Sequence, residues 1–62
     1  MNKELSELKK QIICKKNKFI MELACISQKQ AHVRFQYEGM IAGLAWVLEI
    51  IDEVEKQEQG ND

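Results

Sequence analysis

Cys14, Cys25 and His32 are the only thiols and the only imidazole in the 62-residue sequence. Zinc binding or thiolate chemistry would need them within a few ångströms of one another. On one continuous helix the three share a face, because eleven and seven residues are close to whole numbers of turns. The helical rise still separates them by roughly 16 Å and 10 Å, too far for one ion to bridge. A turn between Cys25 and His32 would carry Cys14 further away. No CxxC or HxxxH pair occurs. The bland reading is two small packing residues and a surface histidine.

Other catalytic types fare no better. Apart from Tyr37, the hydroxyl side chains are Ser6 and Ser27. Neither has a base and an orienting group beside it. The carboxylates of the second half cluster on one polar helical segment, where a solvated face explains them without a dry cleft. There is no glycine-rich phosphate loop. The sequence therefore predicts no catalytic residue, no cofactor and no metal, and a protein that is not an enzyme.

Residues suited to binding are easier to name. Phe35 and Trp46 are eleven apart and share a helical face, with Tyr37 close by. Tryptophan and tyrosine are enriched at interface hot spots, so Phe35, Tyr37 and Trp46 are the candidate partner-binding residues, although Trp46, beside the core stripe, could instead finish a core edge. Lys9, Lys10, Lys15, Lys16 and Lys18 form a basic segment. They could contact nucleic-acid phosphates, or simply complement acidic residues elsewhere in the chain. Gly39-Met40-Ile41-Ala42-Gly43 is a GxxxG match, which lets two helices approach closely. It either marks a tight helix–helix contact or makes room for bulky neighbours such as Phe19 and Leu23. Gly39, Gly43, Leu44, Val47 and Ile51 are the candidate self-association residues.

Helices must position all of these. There is no proline, glycine occurs three times, and helix formers dominate. Asn2 can cap a start, with Glu4 well placed in the first turn. From Leu5 a heptad runs through Leu5, Ile12, Phe19, Ile26, Val33, Met40, Val47 and Val54. Its second position holds Lys9, Lys16, Leu23, Gln30, Tyr37, Leu44 and Ile51. Ile13, Ile20, Ile41 and Leu48 widen one flank, as in a bundle helix. The most polar interior stretch is 27–32. It fits a turn, with Ser27-Gln28-Lys29-Gln30 as a capping box. Asn17 is a second candidate turn and an unbroken helix a third arrangement. Val33 to Tyr37 alternates apolar and polar, so a short strand there is a further alternative.

Charge favours an antiparallel arrangement. Residues 1–31 carry seven lysines and three glutamates, a formal +4, and residues 32–62 carry −5. A turn near residue 30 sets Lys9 and Lys10 against Asp52 and Glu53, and Lys3 against Glu58. It also brings Phe19 to Leu44 or Val47. Two straight antiparallel helices from different chains would make the same contacts. The predicted architecture is all-α: an antiparallel helical hairpin, with helices over about 2–26 and 33–57 and a frayed tail over 59–62. A chain this short has a thin stability margin, so pairing into a dimeric four-helix bundle is expected.

Nothing at the N-terminus reads as a signal peptide, and the most apolar stretch, 40–48, is far short of the roughly 20 residues that span a bilayer. A cytoplasmic location with reduced cysteines is expected. The acidic residues that follow this stretch count against binding to an anionic membrane surface. The expected function is a protein-binding adaptor, inhibitor or regulator that associates with itself. Short length and lysine-, isoleucine- and glutamate-rich usage fit an accessory gene of a bacterium or phage. In size and hairpin pattern the chain resembles Rop-type RNA-binding bundles, a likeness of architecture that rests on no residue motif. It implies an alternative function, nucleic-acid binding through the lysine segment. The sequence pI near 5.8 counts against that alternative.

Overall fold

Two helices account for nearly all of the chain. In the computed structural model, which describes residues 2–60 with side chains from 3 to 57, α1 spans Asn2–Ala24 and α2 spans Ala31–Gly60. They fold back on each other as a hairpin of 52 × 15 × 10 Å. No strand occurs among the described residues. Val33 to Tyr37 is helical, and Asn17 lies inside α1, which neither breaks nor continues into α2.

The turn occupies 25–30, two residues earlier at each end than expected. α1 tightens as it ends, with Cys25 N–H donating to the Glu22 carbonyl and Ile26 N–H to that of Leu23, at 3.0 and 3.1 Å. These three-residue steps are the usual closing turn of a helix. The Ser27 hydroxyl accepts from Lys29 N–H at 3.2 Å, and the Ser27 carbonyl from Gln30 N–H at 3.0 Å. Ser27 therefore builds a compact turn and does not cap α2. The Gln30 carbonyl accepts from Val33 and Arg34 N–H, both at 3.1 Å, so α2 starts directly after Gln30. The capping-box expectation is thus corrected. The helix begins only at Ala31, so Gln30, and not Ser27, is the residue that precedes its first turn. At the far end α2 runs on to Gly60, past the expected boundary at 57. The Asn2 cap, the Lys3–Glu58 pairing and the tail beyond Gly60 lie outside the described residues or side chains.

Packing follows a strict alternation of three and four residues. α1 turns Leu5, Lys9, Ile12, Lys16, Phe19 and Leu23 toward its partner, each half-buried. α2 answers with Arg34, Tyr37, Ile41, Leu44, Leu48, Ile51 and Glu55. Ile51, 6% exposed, is the one buried residue among those described. The position expected to hold Met40, Val47 and Val54 in the core is corrected here: all three are exposed. The stripe is rotated by one residue, so Ile41 and Leu48 move from the flank into the contact. Polar ends explain the choice. In this rotation Arg34 reaches the end of α1 and Glu55 reaches Lys9.

Candidate interaction surfaces

Three contacts hold the hairpin in register. At the open end Lys9 Nζ pairs with Asp52 at 2.9 Å and with Glu55 at 3.2 Å. The hydrogen bond to Asp52, then that to Glu55, raises the lysine pKa above its ordinary 10.5. Of the expected pairing, Lys9 with Asp52 is present, while Lys10 and Glu53 both stand exposed. Midway, the Phe19 and Tyr37 rings meet edge to face at 5.8 Å, where Phe19 was expected to meet Leu44 or Val47. The Tyr37 hydroxyl donates to the Glu22 carboxylate at 3.1 Å. That bond, followed by burial and the carboxylate charge, raises the phenol above its ordinary 10.0. At the turn, Arg34 Nη1 donates to the Leu23 and Ile26 carbonyls at 3.1 and 2.9 Å.

These contacts sort the candidate residues. Tyr37 is engaged inside the hairpin, so it is removed from the outward aromatic set. Phe35 and Trp46 are 69% and 68% exposed on the side of α2 away from α1. Eleven residues separate them by about three turns, or roughly 16 Å. Beside Trp46 lies a shallow depression of about 330 Å³ lined by Glu49, Ile50, Asp52, Glu53 and Lys56. The tryptophan thus projects from an acidic collar.

The basic segment does not form one face. Lys9 and Lys16 lie half-buried against α2, while Lys10, Lys15 and Lys18 are exposed at other angles around α1. Lys15 sits over the Phe19 ring at 5.6 Å, a cation–π distance.

Among the self-association candidates, Leu44 and Ile51 are used within the hairpin. Val47 is exposed, and so are Gly39 and Gly43. A Cβ added at either glycine would meet nothing within 4 Å. The glycines therefore make no room for Phe19 or Leu23, which removes one of the two explanations for the GxxxG match.

Cys14 and Cys25 are free and exposed, Cys25 in the turn. His32 is exposed on the first turn of α2. Among the described residues no three His, Cys, Asp or Glu side chains cluster as metal ligands would. No helix there is long and apolar enough to cross a membrane.

Sequence reasoning missed Arg34 as the clamp on α1, and Ile50 as a surface residue. Arg34 could have been found, since a cation early in α2 faces the carbonyl end of α1 once the turn is placed. Ile50 shares a three-and-four spacing with Met40, Gly43, Val47 and Val54. Set against family models, curated proteins and solved structures, the chain matches none, so a functional reading has to start from these surfaces.

Proposed function

We propose that this chain is a non-enzymatic helical module that docks on another protein as an adaptor, inhibitor or regulator in the cytoplasm. In this reading it works as a homo-oligomer, two hairpins joined into a four-helix assembly. The observation that carries it is the exposed pair Phe35 and Trp46. Two large aromatic side chains held by a rigid helix with no intrachain role are characteristic of interface anchors. The collar of Glu49 and Glu53 around Trp46 favours a partner that surrounds an apolar pocket with positive charge.

Self-association is supported by the thin core. One buried residue among those described is little for an isolated domain of this size. Nucleic-acid binding is the weaker reading. Its lysines point in several directions around α1, and Lys9 is already paired with two carboxylates.

The test is retention of cellular proteins on the immobilised chain, compared with Phe35→Ala and Trp46→Ala chains of equal helix content. A protein held by the unaltered chain and lost from both variants is the expected result. A bound species that ignores both changes, but is released by moderate salt and by neutralising Lys15 and Lys18, would replace this reading with the nucleic-acid one.

A further inference from the structure

The hairpin leaves one seam of α2 without a partner. Adjacent to the residues that face α1 runs a second set with the same three-and-four spacing: Met40, Gly43, Val47, Ile50 and Val54. At about 100° per residue these five fall within an arc of about 80°. No charged residue lies in that arc between Gln36 and Gln57, which bound it at its two ends. Four members are large apolar side chains left exposed, Ile50 to 52%. α2 therefore carries two overlapping heptads, and the hairpin covers only one.

Area and backbone chemistry both indicate a close-packed occupant. A compact chain of this mass exposes about 4,100 Å² by the usual scaling. This hairpin exposes 5150 Å². The excess, about 1,000 Å², is comparable to the ~800 Å² that each partner contributes to a stable interface. Gly43 lies mid-helix, where glycine weakens a helix relative to alanine. No intrachain atom approaches its missing Cβ, so a neighbouring backbone has room to come close there.

We propose that this occupant is α2 of a second copy, lying antiparallel on the same seam about a two-fold axis near Val47. The proposal rests on the self-association in the reading above and adds the face and the direction. Size sets the direction. A parallel pair would set Gly43 against Gly43 and Ile50 against Ile50. Reversal brings the bulky end, Ile50 and Val54, toward the gap at Gly43. A two-fold contact of this kind is isologous and closes at two copies. Phe35 and Trp46 lie outside the arc, so the partner-binding side stays open in the dimer.

Solution mass by light scattering over a dilution series, with circular dichroism on the same samples, tests the seam. The unaltered chain is expected to be a dimer. Gly43→Leu is expected to raise the dissociation constant about tenfold or more without loss of helix, because overpacking at a close contact is costly while the lone hairpin has room. Ile13→Glu with Ile20→Glu, on the other helix, is expected to leave the dimer intact. Direction is read in a chain carrying Cys14→Ser and Cys25→Ser. Gln36→Cys chains mixed with Gln57→Cys chains should cross-link to each other through a short bismaleimide, and neither should cross-link to itself. A dimer indifferent to Gly43→Leu would overturn the seam and leave self-association standing. Self-linking of Gln57→Cys would overturn the direction. A monomer at every concentration would overturn both the seam and the oligomeric part of the proposed function, and would leave the Phe35 and Trp46 test unaffected.

Discussion

One guanidinium nitrogen from the other helix, Arg34 Nη1, serves both the Leu23 carbonyl at the end of α1 and the Ile26 carbonyl in the turn that follows. Arg34 does here what a left-handed glycine does at many helix ends. No residue described has a positive φ, so the turn is closed by a side chain in place of backbone strain. Arg34→Ala is expected to destabilise the hairpin by about 1–2 kcal/mol in chemical denaturation, since both bonds are charge-assisted but part-exposed. Arg34→Lys should restore less than half of the loss, because Nη1 holds both carbonyls through the fixed N–H directions of a planar guanidinium, which a flexible ammonium lacks.

Tyr37 and Glu22 offer a spectroscopic handle on the same region. The phenol is the only tyrosine in the chain. Its raised pKa means that the folded form keeps the proton longer than the unfolded form does. The stabilisation is therefore full below pH 10 and is lost as pH rises through the folded pKa. Lys9, also raised, acts in the same direction above 10.5. A phenolate absorbance titration should give a midpoint above 10.0, and Glu22→Gln should move it back toward that value. An unchanged midpoint in the variant would show that the hydrogen bond is not its cause.

At the scale of the element, α2 shows which features periodicity specifies. Tyr37, Leu44 and Ile51 belong to both the expected stripe and the observed one, so their inward position was legible. The choice between Met40, Val47 and Val54 on one side and Ile41 and Leu48 on the other was not. Both sets are apolar and evenly spaced, and a two-helix contact covers only one. Helix propensity at Gly39 gives a further check. The site is exposed, an added Cβ there meets nothing, and it lies outside the proposed seam. Gly39→Ala should therefore raise stability by roughly 0.5–1 kcal/mol, seen as a higher melting temperature at unchanged solution mass. A lower melting temperature would mean that the glycine is itself a contact.

On the scale of the whole molecule, stability is concentrated in very few groups. Among the described residues Ile51 is the best-covered side chain, and Ile51→Ala is expected to cost about 2–4 kcal/mol. A surface truncation such as Met21→Ala should stay within about 0.5 kcal/mol. Thermal denaturation of the two variants side by side distinguishes a structure that depends on one layer of the core from one that spreads the load. Comparable losses in both would place the core elsewhere, for instance in an interface between copies.

The sequence by itself pointed to the helices, to a candidate turn over 27–32, to the Lys9–Asp52 pairing that such a turn implies and to an outward Phe35. Each follows from local rules: propensity without proline, a polar gap between apolar stripes, opposite charge in the two halves, and spacing around a helix. Only the tertiary structure decided the rotation of α2, the role of Arg34, the engagement of Tyr37 and the open space around Gly43. Those depend on which of two equally apolar faces meets α1. Side chains far apart in the chain settle that, through polar contacts at both ends of the hairpin that no periodicity encodes.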